Sequence, residues 1–227
     1  AQTNVTVNLK EKAIDSLIVT VSEEGSAREI RKFTVAAKGG KAKFQLDETT
    51  PHAIYLEAVP SKEWNSFMLI PGAKIKVGGT LDDLKVSGHD FYKDEAAYNA
   101  SLKDLKAKSQ DFDKRIRELQ EKGDSKAAEK MFREELLATY QQMQDKAEEF
   151  ITTHPGSDYS VYLTTVRWQG EDRQKQLAKL VDAGENSIMK SFTDAVIANE
   201  KKQQEEADRR KNCLLYTSPS PRDGATS

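Results

Sequence analysis

The spacing of apolar residues changes once along this chain, and the change falls at Gly88. Before it, apolar side chains alternate with polar ones, the two-residue period of a half-buried strand. After it they recur at alternating spacings of four and three, the period of a helix with one buried stripe. Strands alternating with helices would build a parallel sheet, whereas strands first and helices afterwards build an α+β protein. The expectation is therefore an N-terminal antiparallel β-sandwich or partly open barrel over residues 1–88. An antiparallel helical hairpin and short helices follow over 89–198.

The first half predicts about eight short strands with turn signals between them. Val5, Val7 and Leu9 alternate with polar neighbours, as do Leu17, Val19 and Val21, with Ile18 on the other face. Ile30, Phe33 and Val35 suggest a third strand of imperfect spacing. Lys38-Gly39-Gly40-Lys41 predicts a hairpin turn into the return strand Ala42, Phe44 and Leu46, because glycine supplies the positive φ of tight turns. Ile54, Leu56 and Ala58 form another strand, with Tyr55 opposite, and Pro60 ends it. Trp64–Ile70 is apolar enough to predict a central strand. Pro71-Gly72 turns the chain, Ile75 and Val77 return beside it, and Leu84 and Val86 give a last short strand.

In the second half Asp90 is the expected helix cap, its side-chain oxygen accepting from free N–H groups of the first turn. Asp94 and Glu95 sit well against the helix dipole. Tyr98, Leu102, Leu105, Ser109, Phe112, Ile116 and Leu119 predict one helix that stops at Gly123. Asp124 or Ser125 starts the next, with Leu136, Tyr140, Met143, Ala147 and Phe150 on its stripe, and His154-Pro155-Gly156 ends it. Two such stripes predict a hairpin with arms of roughly 40 Å. Ser157 or Asp158 caps a short helix through Tyr159, Tyr162, Leu163 and Val166, which Gly170 breaks. Glu171–Ala183 predicts another, with Leu177, Leu180 and Val181 on one face. A last helix starts near Asn186 or Ser187 and buries Ile188, Met189, Phe192 and Val196. Residues 199–212, NEKKQQEEADRRKN, read as a charged linker helix.

Composition narrows the chemistry. The net charge is −2 with both signs interspersed, which argues against a nucleic-acid partner, since such binders carry a basic face. No run of about 18 apolar residues occurs, so no membrane span is expected. The only cysteine is Cys213, and the three histidines show no metal-ligand spacing. His52 at a strand start, His89 at the joint and His154 at a helix C-terminus each read as structural. Glu57 and Glu63 beside Trp64 have the makings of a carbohydrate-type site, but an exposed strand edge with a core tryptophan is the preferred reading. Gly39-Gly40 and Gly78-Gly79 are turn glycines rather than a phosphate cradle. No catalytic, cofactor-binding or metal-binding residue is assigned, and no cofactor is expected. The helical stripes read as intramolecular core, with a protein partner or self-association through the hairpin as the alternative. Ala1-Gln2-Thr3 suits the neighbourhood of a signal-peptidase cut.

Two resemblances add to this. Cys213–Asp223, CLLYTSPSPRD, matches codon by codon one reading frame of a transposase-type sequencing adapter, which implies that 213–227 is an artefactual, disordered tail and that Cys213 is not biological. Phe67–Gly88, FMLIPGAKIKVGGTLDDLKVSG, resembles a β-rich domain of unknown function. That domain precedes the thioredoxin-like domain of secreted thiol–disulfide oxidoreductases in Gram-negative bacteria. Phe67–Ile70, Pro71-Gly72, Ile75, Val77, Gly79, Leu81, Asp82 and Leu84–Gly88 carry the likeness; Ala73 and His89 depart from it. Phe150-Ile151 with His154-Pro155-Gly156-Ser157 resembles the family's second junction, and Tyr159–Leu163 its following short helix. The resemblance implies a non-catalytic accessory region of an envelope or periplasmic oxidoreductase. Its partner would be the thioredoxin-like domain that carries the redox cysteine pair, absent from this sequence.

Overall fold

A computed structural model describes residues 2–165, 175, 178, 179, 181 and 183–217. Eight strands open the chain: β1 (Thr3–Asn8), β2 (Ser16–Ser22), β3 (Glu29–Ala36), β4 (Lys41–Leu46), β5 (His52–Val59), β6 (Trp64–Leu69), β7 (Lys74–Gly79) and β8 (Leu84–Ser87). They form two four-stranded sheets, ordered β4-β1-β7-β8 and β3-β2-β5-β6. The alternation of apolar residues does what the period dictates. Val5, Val7, Phe44, Leu46, Ile75 and Val77 from one sheet share a core with Leu17, Val19, Leu56 and Leu69 from the other. Each such side chain, fully buried, contributes on the order of 2 kcal/mol.

The architecture is the expected α+β sandwich, with four differences in its wiring. β1 and β7 run parallel, Val5 pairing with Ile75, so the sandwich is not wholly antiparallel. Gly39-Gly40 does not close a hairpin: β3 and β4 lie in different sheets, and the turn is a crossing between layers. Gly40, at φ +81°, sits where a Cβ would fall 2.5 Å from the Leu9 carbonyl oxygen, and its own carbonyl accepts from Leu9 N–H at 2.8 Å. Close backbone approach, rather than hairpin geometry, therefore requires that glycine. Pro71-Gly72 likewise carries the chain from β6 to β7 in the other sheet, and Gly72 N–H donates to the buried Thr3 hydroxyl at 2.9 Å. β6 is an edge strand, not a central one.

The helices are α1 (Asp90–Ser101), α2 (Lys103–Glu121), α3 (Ser125–Met131), α4 (Leu137–Thr153), α5 (Asp158–Leu163) and α6 (Lys190–Thr217). His89, not Asp90, caps α1: its Nδ1 accepts from Phe91 N–H at 3.0 Å while Asp90 is already helical. Asp124 and Ser157 cap α3 and α5 as expected. The first hairpin arm is divided at Leu102, and a π-helical turn, Phe132–Leu136, joins α3 to α4 in the second. In the second arm Thr139 is buried and Tyr140 is more than a third exposed, the reverse of the sequence expectation, while Leu136, Ala147 and Phe150 are buried as expected. The hairpin tip has its own small core of Phe112, Ile116, Ala128 and Leu136.

Phe91, Tyr92, Tyr98, Phe150, Ile151, Tyr159, Phe192 and Val196 join the sandwich residues in one continuous core that spans the strand and helical halves. The tip of the β2–β3 turn holds α6 against this body. Gly25, at φ +74°, lies where a Cβ would come within 2.6 Å of Val196 N, and Asn199 Nδ2 donates to the Glu24 carbonyl. Beyond Asn199, α6 runs on with almost every side chain in solvent. It continues through Cys213–Thr217, where no order was expected. No proline intervenes before Pro219, so the helix meets no backbone obstacle there. The predicted helix over Glu171–Ala183, with Leu177 and Leu180, and the Val166 and Gly170 positions lie outside the described residues, apart from isolated positions.

Candidate functional site

The spacing 91, 95, 98, 102 places Phe91, Glu95, Tyr98 and Leu102 on one face of α1, so a carboxylate occupies a position in an apolar stripe. The side chains around it are aromatic. Phe91 packs edge-on against Tyr92 at 5.6 Å, Tyr159 at 5.3 Å and Tyr162 at 5.9 Å between ring centroids. Tyr98 packs against Phe150 at 5.6 Å and Tyr159 at 5.8 Å. All but the tilted Tyr98–Tyr159 pair are T-shaped, placing ring edges on ring faces. The cluster is tied to the sandwich by the Tyr92 hydroxyl, which donates to the Met68 carbonyl at 2.6 Å. It is tied to α5 through Ser157, whose hydroxyl donates to Asp94 at 2.6 Å and accepts from Tyr159 N–H at 3.1 Å.

Burial pushes the Glu95 carboxyl up to about 7. It makes no hydrogen bond with a described residue that would favour the charged form, so desolvation acts unopposed. Burial raises Tyr98 to about 12, and it also raises Tyr92, Tyr159 and Tyr162, with the Glu95 charge adding to the shift of these three. The Tyr98 hydroxyl is buried and has no hydrogen-bond partner among the described residues.

Glu95 and Tyr92 form the floor of a cleft of about 680 Å3 between β8 and the joined face of α1 and α2. That volume falls in the range of ligand-binding pockets. One wall is the strand segment from Asp83 to Val86; the other presents Ala96, Ala100 and Ala107 with Lys103 and Lys106. Neither lysine makes an ion pair with a described residue, while Lys85 Nζ pairs with Asp83 at 3.1 Å in full solvent. The cleft thus combines a floor acid that is uncharged below neutral pH, small side chains, and cations at the rim. Its equipment can hold a ligand and exchange a proton with it at Glu95.

The residues singled out in the sequence sit elsewhere. His52 is buried; its Nδ1 lies 2.8 Å from the Ser22 carbonyl and so carries the ring proton, leaving Nε2 to accept from Thr50 at 3.2 Å. His154 stacks on Phe150 at 4.1 Å, with Nδ1 3.1 Å from the Phe150 carbonyl. All three histidines hold backbone. Trp64 is 64% exposed and is not a core residue. It lies on the outer face of edge strand β6, opposite Glu57 in register and 5.9 Å from the Tyr55 ring, an aromatic ledge with one carboxylate beside it. Glu63 is exposed just outside the strand. Among the described residues no group of three His, Cys, Asp or Glu side chains is placed to hold a metal ion, and no helix is long and apolar enough to cross a membrane.

Glu95 is the residue that sequence reasoning passed over. Its stripe position was the available signal, but a single acid in the first turns of a helix reads first as a partner for the dipole. Compared with known family models and with curated proteins, the chain finds no match.

Proposed function

We propose that residues 1–212 form a non-catalytic accessory region that carries the thioredoxin-like domain of an envelope thiol–disulfide oxidoreductase. The chemistry would belong to that domain: a cysteine thiolate of lowered pKa exchanging with a substrate disulfide. The observation that supports this reading is α6. Met189, just before it, and Phe192 and Val196 in its first turns lie in the core, and from Lys201 to Leu215 its side chains are exposed apart from the half-buried Glu206. A helix held rigidly at one end and solvated over roughly 20 Å beyond it is a strut, suited to hold a second body at a set distance. The Phe67–Gly88 likeness, which spans β6 to β8, supplies the identity of that body.

The test is to read the gene onward from the Asn212 codon. An open frame that enters a strand–Cys-x-x-Cys–helix unit is the expected result; a stop codon within a few codons overturns it. As an independent check, the Cys213→Ser chain is expected not to accelerate the reduction of insulin disulfides above the rate with dithiothreitol alone. Turnover by that protein would place redox chemistry in this region and contradict an accessory role.

A second reading, a stand-alone binding or oligomerisation module, is favoured by one observation. Around the π-helical turn, Phe132, Leu137 and Tyr140 are exposed on the hairpin arm. Light scattering distinguishes the two: a monomer at high concentration excludes self-association through this arm.

A further inference from the structure

We propose that the open edge of β8 takes up an extended, acidic peptide segment as an added strand, laid in the cleft between β8 and the α1–α2 face. Strand addition at this edge needs nothing from the chain beyond α6 and does not rest on the oxidoreductase reading.

Three observations carry it. The first is the edge. β8 is the last strand of its sheet, paired with β7 alone, Val77 opposite Val86 and Gly79 opposite Leu84. Backbone N–H and C=O groups on the other side of an edge strand have no sheet partner and form a template for another chain. Proteins often cover such an edge, or shield it with a bulge, a proline, a charged side chain or a short strand; β8, Leu84–Ser87, is short and carries the exposed Lys85, but it is regular and proline-free. Its four residues span about 13 Å, enough to register a short segment.

The second is the opposite wall. Ala96, Ala100 and Ala107 are exposed where α1 and α2 face the strand, so that wall is low and leaves the cleft open. An added strand lies about 4.8 Å from its neighbour and needs about 10 Å to a packed layer above it, so bulky side chains there would exclude it.

The third is charge. Lys103 and Lys106 rise from the helix wall without an ion pair among the described residues, and Lys85 rises from the strand wall in an exposed pair with Asp83 that is weak enough to exchange. The floor acid, Glu95, is uncharged at mildly acidic pH because of its burial. The cleft is therefore cationic, and an extended segment with carboxylates on alternate residues complements it: one face meets the lysines and the backbone meets β8. Backbone pairing would give affinity and the lysines would give the preference for acid.

The probe is the peptide acetyl-Val-Glu-Val-Glu-Val-Glu-amide, titrated into the full 227-residue chain carrying Cys213→Ser, with amide chemical shifts as the readout. Shifts are expected at Leu84–Ser87 and along 96–107. The same peptide with lysine for glutamate should bind at least ten-fold weaker. The double variant Lys103→Glu/Lys106→Glu should lose at least ten-fold in affinity with an unchanged urea midpoint, since both side chains are exposed. A peptide N-methylated at alternate residues should not bind. Equal binding of the N-methylated peptide or of free glutamate would replace strand addition by a simple anion site. Equal binding of the lysine peptide would remove the charge argument. Shifts at Leu84–Ser87 on dilution without peptide would make the edge a contact between copies of this chain. Each of these three results overturns the proposal.

Discussion

Replacing Glu95 by glutamine tests the central feature of the helical face, a carboxyl in an aromatic stripe. The groups that face it are Tyr92 on its own helix, Tyr159 and Tyr162 on α5, and around the cleft Asp83 just before β8, Lys85 on β8, and Lys103 and Lys106 on α2. The folded carboxyl titrates near 7 against an ordinary value of 4.5, a rise of about 2.5 units. At 1.36 kcal/mol per unit this is about 3 kcal/mol of folding free energy, as an order of magnitude. The sign follows from proton counting. Between pH 4.5 and about 7 the native state keeps the proton while the unfolded chain has lost it, so stability falls as pH rises through this window. The penalty is complete above pH 7 and absent below 4.5. Glutamine has the same shape and no charge to desolvate. Glu95→Gln should therefore match the parent near pH 4.5, apart from a constant offset for burying the amide, and gain on it steadily to about 3 kcal/mol at pH 8. For a chain of this size the urea slope is roughly 2–3 kcal/mol per molar, so the unfolding midpoints should separate by roughly 1 M at pH 8. Every other titrating group is common to both proteins, and the difference between the two pH profiles isolates Glu95. A constant separation across pH, or a variant less stable at pH 8 than at pH 5 relative to the parent, would refute the reasoning.

Three further outcomes rest on the same packing. Tyr98→Phe removes a buried hydroxyl that has no partner among the described residues; it should be neutral or stabilising by up to about 1 kcal/mol in urea unfolding, whereas a hidden hydrogen bond would make it cost about that much. Gly25→Ala places a Cβ against Val196 N and Ala195 at a positive φ; it should destabilise by about 1–3 kcal/mol, with hydrogen exchange rising first in the opening turns of α6, and unchanged protection there would show that the turn does not hold that helix. Trp64→Ala should leave the unfolding midpoint within about 0.5 kcal/mol of the parent, while Phe91→Ala, in the buried aromatic cluster, should cost about 3–5 kcal/mol.

What the sequence made legible were the elements whose information is local. The alternation in β1, β2, β4, β5 and β7 survives because each strand buries one face whatever its neighbour. Strand pairing is not local. Gly39-Gly40 carries the same φ demands whether the chain folds back beside itself or crosses to the second sheet, and only the contact with Leu9 decides which. Trp64 shows the same blindness: an apolar run predicts a central strand, but which end of β6 the helices cover is fixed by residues far along the chain. In the second hairpin arm Leu136, Ala147 and Phe150 keep the expected stripe, while Thr139 takes the interface position in place of its helical neighbour Tyr140, about 100° away, a choice set by the packing partners.

The candidate site was illegible for a related reason. Its floor comes from α1, its walls from β8 and α2, and the aromatic packing beside the floor from α5, so no stretch of sequence contains it. Glu95 had a local meaning that hid its tertiary one: near a helix N-terminus an acid is favoured by the dipole, and that effect is worth well under 1 kcal/mol at an exposed position. The burial of the same carboxyl acts in the opposite direction and is several times larger. That costly position, in a face otherwise built from tyrosine and phenylalanine, is the floor of the cleft. With the acid neutral the cleft is cationic, and with the acid ionised the floor opposes Lys103 and Lys106. An acidic segment on β8 should therefore bind more weakly above pH 7 than below it, and Glu95→Gln should abolish that dependence while keeping the affinity.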